Sequence, residues 1–461
     1  MNLHVMKIYN HEKFQGDERV ARERRGPACR TLLLVFFAFL LPIWGMGLLV
    51  LSNCIPTSHF IGHLQVSSSQ LCNSAQEMRL RKNNENIPTW WEVMTRRDLF
   101  TDSIMLGIVA YDLDHDIVEK SLNTKLFAAG KGERLGNTVQ TLQRKLNGDV
   151  EGLRVFDYGR YWHGYLVFLR PLLVLFDYNS IITLNYIILD GLLIWLTFML
   201  YRVFNWKLAC CFVLSMLLVL APLIPMSLQY ADCFFLAYAA SLYALHARNW
   251  TTKSLFNALL LFFIVGAATS FLDILTTPIL TLCIPLTIWT GLRTKLGSVT
   301  AMSVVKVAAS WFAGYAYMWI SKWILISLFT SNKIFHTIYT AIMFRSLDIH
   351  DGSPFPIRET ISKFLSPDFL CLVVFTLCFF VYLFFSRKEK SKDSTIISFA
   401  IVGLLPFAWC VLLMQHTFHH LYAFTWRDIA GVVFPFLWIL VCFTSPRVFC
   451  HRAACWLNKK S

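Results

Sequence analysis

Apolar residues along this chain come in long blocks, not in the alternation of strands or the stripes of soluble helices. Ten blocks carry few charges and have the length needed to cross a bilayer, about 17 to 25 residues. They fall at 31–52, 180–201, 207–224, 228–247, 254–272, 275–292, 304–328, 368–386, 394–414 and 428–446. An eleventh run, His163 to Phe176, is shorter and holds Arg170 and Pro171, which marks it as re-entrant or interfacial. The pattern predicts an all-α polytopic membrane protein: about ten transmembrane helices, one re-entrant or interfacial helix, and a helical first external loop.

Charge placement orients the helices. Basic residues cluster in short cytoplasmic loops of membrane proteins. The clusters here are 7–30, Arg202/Lys207, Arg248/Lys253, Arg293/Lys295/Lys306, Arg387 to Lys392, and 447–460. All lie inside only if 163–176 does not cross. The expected organisation is then a cytoplasmic tail (1–30), a first span (31–52) and a large external loop (53–179) containing the re-entrant segment 163–176. A bundle (180–446) with external loops 329–367 and 415–427 follows, then a second cytoplasmic tail (447–461). The competing layout has eleven spans and an external C-terminus.

Composition narrows the function. The chain has 461 residues, 56% hydrophobic and only 15% charged, with mean hydropathy +0.52. Such a composition excludes an ordinary cytosolic enzyme and a disordered chain. The net charge of +14 follows from the cytoplasmic clusters and gives no support to nucleic-acid binding. The 13 cysteines show no metal-finger spacing. Cys54 and Cys72 lie in external sequence, either paired or as free thiols. The cytoplasmic loops are too short for a nucleotide-binding domain, so chemistry is expected on the outer face. An outer-face enzyme is suited to a lipid-linked donor already flipped across the bilayer. Its site needs an apolar groove, cationic hydrogen-bond donors and a nearby base.

Several residues are candidates. Asp102 can act as general base, or the Thr101-Asp102-Ser103 stretch can simply open a helix. Asp112, Asp114 and Asp116 alternate like a weak divalent-metal site, or are merely solvated. The stretch from Asp157 to Pro171 packs Tyr161, Trp162 and His163 between Arg160 and Arg170, which suits sugar stacking and phosphate binding. Arg170 can equally pair with Asp177 or Asp190, because a charge at membrane depth needs a partner. His416, His419 and His420 share one helical turn, with Arg427 just beyond. They suit a metal, a phosphate or sugar contact, or a polar interfacial turn. Lys322 is a further phosphate ligand or a residue snorkelling to the interface.

The strings at Leu99–Leu106, Tyr158–Tyr165, Phe271–Pro278 and His416–Arg427 look like those of a little-characterised bacterial family. The layout resembles the GT-C class of integral membrane glycosyltransferases. The resemblance implies a polyprenyl-phosphate-linked sugar donor and an envelope glycan, lipid or protein acceptor. It also implies inverting transfer on the extracytoplasmic face of the cell membrane. It makes Asp102 the acceptor base, with Asp112 or Asp157 as alternatives because Asp102 lies well beyond the first span. Arg160, Arg170, Lys322, Arg427 and His420 would hold the donor phosphate, and Tyr161, Trp162, His163, His416 and His419 the sugar or acceptor. Other classes that fit are a flippase or transporter of a lipid-linked or small polar substrate, and a non-catalytic membrane protein of envelope assembly.

Overall fold

The computed structural model describes residues 36, 38–84, 89–111, 116–128, 138–297, 299–332, 334–347, 367–386 and 393–445. The chain divides into two compact units, Met1–Leu48 and Leu49–Ser461. The second carries every candidate residue that is described. The helices run in order α1 (Ala38–Asn53), α2 (Ile61–Asn84), α3 (Thr89–Thr95), α4 (Leu99–Val109), α5 (Ile117–Leu122), α6 (Thr138–Leu146) and α7 (Leu166–Leu175). Then come α8 (Tyr178–Val203), α9 (Trp206–Leu218), α10 (Leu228–His246), α11 (Leu255–Leu272), α12 (Leu280–Lys295) and α13 (Ala301–Phe329). The last are α14 (Ile334–Leu347), α15 (Pro367–Ser386), α16 (Asp393–Leu412), α17 (Met414–His419) and α18 (Ala430–Phe443).

Each of the ten apolar blocks contains a helix. Among the described residues five helices are long and apolar enough to cross a membrane: α8, α11, α13, α16 and the stretch Thr425–Phe443 that includes α18. α1, α4, α7 and α9 are shorter apolar helices. Large hydrophobic side chains such as Ile187, Ile194 and Leu328 point outward. That surface and the long apolar helices are consistent with a multi-pass membrane protein.

Polar residues set the helix ends. Asp177 caps α8 by accepting from the Ser180 N–H at 2.9 Å, and Asn205 caps α9 through the Leu208 N–H at 3.0 Å. Thr300 and Ser303 form a reciprocal capping box at the start of α13. Inside the bundle, α11 lies along α13, α10 along α12, and α16 along α18. Phe212, Phe234, Tyr238, Phe434 and Trp438 fill one core region. Trp289, Trp311 and Phe262 fill another.

The first external loop departs from the sequence expectation twice. Its first third looks aperiodic, yet residues 61–84 form the long helix α2. The buried positions there are Leu64, Ser67, Ser68 and Leu71, the i, i+3, i+4, i+7 spacing of one helical face. Two serines occupy the middle of that face, so hydropathy does not show it. Ser67 has a use: its Oγ accepts from the Tyr178 N–H at 2.9 Å, at the start of α8. The loop also holds a small antiparallel sheet, so it is not purely helical. β1 (Lys125–Ala128) pairs with β2 (Arg154–Asp157), with Lys125 opposite Asp157. The stretch 117–150, whose pattern predicts one or two short helices, forms α5 and α6. Cys54 and Cys72 are both free.

Candidate functional site

The site begins with spacing on α13. Tyr315, Trp319 and Trp323 stand four residues apart and so share one face. Tyr315 stacks on Trp319 at 5.8 Å between ring centroids, and Trp319 meets Trp323 edge-on at 5.5 Å. Ile338, Ile342 and Arg345 make the facing stripe of α14, and Trp409, Leu412 and Leu413 close the groove from the end of α16. The cavity between them is about 290 Å³, and its lining is apolar except at one place. There, Arg160 and Arg345 meet Tyr161.

Both guanidinium groups lie against the same ring. Arg160 sits 5.3 Å from the Tyr161 centroid and 4.6 Å from that of Tyr158. Arg345 is 5.6 Å from Tyr161 on its own approach. The Trp323 indole N–H donates to the Arg160 carbonyl at 3.2 Å, which ties the arginine's backbone to α13. Two polar atoms of the groove are buried without a partner among the described residues: Arg160 Nε and Trp319 Nε1. Buried donors of this kind are rare in native proteins.

Arg345 is held from behind. Its Nη1 donates to His416 Nδ1 at 3.1 Å, and His416 Nε2 donates to the Leu275 carbonyl at 2.8 Å. With one ring nitrogen accepting and the other donating, His416 is the neutral imidazole. Burial first, then the Arg345 charge, hold its basicity well below the ordinary histidine value. The carbonyl it uses belongs to a left-handed residue, Leu275, with φ of 77°. Asp273 fixes that turn by accepting from the Leu275 N–H at 2.8 Å and the Thr276 N–H at 2.9 Å. Backbone strain kept by a dedicated carboxylate is a common mark of a functional turn.

The remaining predicted cations are elsewhere. Arg170 is buried and donates to the carbonyls of Ser52, Val109 and Ile55 at 3.1, 3.1 and 2.7 Å. It holds the start of the external loop on α4 and α7, instead of pairing with Asp177 or Asp190. Lys322 is fully buried, with Nζ 5.0 Å from the Trp162 ring and 3.4 Å from the Ser121 carbonyl. Arg427 packs on Tyr230 at 4.4 Å and donates to the Ala423 and Met94 carbonyls. None of the three lines the groove.

The aromatic and histidine candidates divide in the same way. Tyr161 lines the groove. Trp162 donates to the Met318 carbonyl at 2.7 Å. His163 lies between the Tyr158 carbonyl at 3.0 Å and the Tyr165 hydroxyl at 3.2 Å; burial drives its basicity down to about 3. His420 stacks on Phe424 at 4.7 Å, and His419 meets His420 edge-on at 4.8 Å. His416 reaches the groove only through Arg345.

Among the acids, Asp102 is completely buried on α4. Its Oδ2 accepts from the Tyr178 hydroxyl at 2.6 Å and the Leu228 N–H at 3.2 Å, and its Oδ1 from the Gln229 N–H at 3.3 Å. It thus caps the N-terminus of α10 from outside that helix. Asp98, not Asp102, is the N-cap of α4 itself. Asp157 is exposed on β2 and paired with Lys125 and Asn123. Asp116 caps α5 by accepting from the Val118 N–H at 3.0 Å. Asp112 and Asp114 lie outside the described residues. Among the described residues no group of three or more His, Cys, Asp or Glu is placed to hold a metal ion. Asp232, one turn into α10, is different. It is only partly buried and makes no hydrogen bond to another described residue.

The sequence alone does not single out Arg345. The available signal was a lone cation near the end of the apolar stretch Ile334–Leu347. No family model, no curated protein and no solved structure matches this chain.

Proposed function

We propose that the groove binds a polyprenyl-phosphate-linked sugar and that the chain is a membrane glycosyltransferase of the GT-C type. The observation that carries the reading is the pair of guanidinium groups, Arg160 and Arg345, on one tyrosine at the end of an aromatic groove. An isoprenoid chain is apolar and would lie along Tyr315, Trp319, Ile338 and Ile342. A phosphate at its head would take charge-assisted hydrogen bonds from both arginines and occupy the unpartnered Arg160 Nε. The proposed topology has ten spans, cytoplasmic termini and a site on the extracytoplasmic face.

In the proposed reaction an acceptor hydroxyl loses its proton to a carboxylate and attacks the anomeric carbon from the side opposite the phosphate. The C–O bond to phosphate breaks, and the configuration inverts. The polyprenyl phosphate leaves as an anion, stabilised by the two arginines. His416 keeps Arg345 aimed, because its Nδ1 accepts from one of the five guanidinium N–H groups and leaves the others for phosphate. The resemblance puts the base at Asp102. Enclosure of that carboxylate by Tyr178 and α10 supports a positioning role instead, and makes Asp232, which forms no hydrogen bond to another described residue, the alternative base.

The test is binding and transfer with purified protein. Polyprenyl phosphate should bind in the micromolar range or tighter. Arg160→Ala or Arg345→Ala should weaken it by about 10- to 100-fold, as loss of a charged hydrogen bond does. Lysine should restore little of this, because it lacks the planar fork. Equal binding by Arg345→Ala and the native chain sinks the donor site. Asp232→Asn should bind donor normally and lose transfer by about 100-fold or more, while Asp102→Asn should retain it. The reverse result returns the base to Asp102. Donor binding with translocation across vesicles, and no transfer to any acceptor, would identify a flippase.

A further inference from the structure

The arginine groove is not a closed cavity. Its deep lining is buried: Tyr315 is 8% exposed, Ile338 5% and Trp409 5%. The lining residues that are exposed come from three helices: Ala316 and Ile320 on α13, Ile342 on α14 and Leu412 on α16. All of them are apolar. Ile320, Ile342 and Leu412 are 47%, 41% and 56% exposed.

Where this open side faces follows from α13. Val305, Ala309, Ala313, Ala316, Ile320 and Ile324 are exposed at steps of three or four residues, which makes one apolar stripe along the helix. On a helix long and apolar enough to cross a membrane, such a stripe faces lipid. The groove therefore opens sideways, along the lipid-facing stripe. A mouth turned towards water would carry polar groups at its rim, and this rim has none.

The size of the groove sets what it can hold. Its 290 Å³ lies near the lower end of small-molecule sites, about 300–1,000 Å³. From Tyr315 to Trp323 the aromatic face covers about 12 Å of helix. That accommodates a phosphate and the first few isoprene units, but not a full polyprenyl chain. Beyond the rim the chain needs no protein cover, because lipid tails are as apolar as leucine side chains.

We propose that the groove reads only the head-proximal segment of its lipid, and that the rest of the chain leaves past Ile320, Ile342 and Leu412 into the bilayer. The inference rests on the donor reading and deepens it. The substrate class is a prenyl phosphate selected by its head and first units, with total chain length left unread.

The experiment plugs the opening. Ala316→Trp sets a large ring at the rim, on an exposed position. Binding of geranyl phosphate and of undecaprenyl phosphate is measured on the full chain in lipid nanodiscs. Taking each ligand as a ratio of variant to native cancels its partitioning into the bilayer. Both ligands should bind the native chain. Ala316→Trp should weaken undecaprenyl phosphate about 10-fold more than geranyl phosphate, the scale of a steric clash. Ile342→Trp should do the same from α14, and decides the matter if Ala316→Trp does not fold. Geranyl phosphate with a pyrene at its tail should bind the native chain nearly as well as the unmodified ligand. Rejection of the pyrene ligand by the native chain, or equal ratios for the short and long ligands in the variants, overturns this inference and leaves the donor site standing. Failure of both prenyl phosphates to bind the native chain removes the donor reading and this inference together.

Discussion

Gly314→Ala is expected to cost the fold on the order of 3 kcal/mol or more, the upper end of what overpacking does. Gly314 on α13 faces Phe263 on α11. A methyl group at Gly314 would overlap the Phe263 carbonyl oxygen and stand 2.8 Å from its carbonyl carbon. The contact is reciprocal: a methyl at Gly266 would overlap the Trp311 carbonyl oxygen and stand 2.9 Å from its carbon. The obstructing atoms are backbone, so no rotamer change makes room and the helices must separate. Small residues that let two helices touch backbone to backbone are the main device of packing within a bilayer.

The same displacement would reach the groove. α13 carries Tyr315, Trp319 and Trp323, and α11 leads into Asp273 and the Leu275 turn that holds His416. Gly314→Ala should therefore lower the thermal midpoint in detergent and weaken binding of polyprenyl phosphate together. Gly266→Ala should do the same. The double variant should cost less than the sum, because helices already forced apart admit the second methyl more easily. Gly191, in α8, is the control: a methyl there meets nothing within 4 Å, and alanine favours a helix by about 0.5–1 kcal/mol over glycine. A native midpoint in Gly314→Ala would show that the two helices are not in contact.

How far the sequence could be read depends on where each residue finds its partner. Blocks of apolar residues predict helices well, because a long apolar run has few other ways to satisfy its backbone in lipid. The serine face of α2 was invisible, since hydropathy counts Ser67 and Ser68 as surface although both are buried. The β1–β2 pair leaves no pattern in the sequence, because strands of four residues carry too few positions for an alternation to register. Cations were the hardest. A buried Arg looks the same in sequence whether it binds backbone carbonyls, as Arg170 does, or faces a cavity, as Arg160 does. Arg345 carries no signal in the sequence because its partners Tyr161 and His416 come from two distant stretches of chain. His416 was visible as part of a histidine cluster, but its link to Arg345 exists only once α14 and α17 pack together. Asp102 stands out in the sequence, yet the groups that enclose it come from α8 and α10, far along the chain.

That enclosure makes a pH prediction. Burial, and then the neighbouring charge of Asp98, push the Asp102 carboxyl up to about 7 from an ordinary 3.8. Hydrogen bonds from Tyr178, Gln229 and Leu228 pull the other way and are outweighed. Between these two values the folded chain holds a proton that the unfolded chain has released. Stability from this group is therefore fully present below about pH 4, declines as pH rises, and is gone above about 7. A shift of this size corresponds to roughly 4 kcal/mol at most. Histidines oppose it. His163 and His420 are driven to about 3 by burial, and His416 also falls well below its ordinary value. Each loses stability as pH drops below about 6.5, where the unfolded chain takes up the proton and the folded chain does not. The native profile is thus a sum of opposite slopes, and the readout must be a difference. Asp102→Asn keeps an acceptor for Tyr178 and cannot titrate, while leaving all three histidines in place. The gap in thermal midpoint between the native chain and Asp102→Asn should favour the native chain at pH 5 and shrink steadily towards pH 8. A gap that stays constant across that range would mean that Asp102 titrates as an ordinary carboxylate, and that α10 and Tyr178 do not close over it.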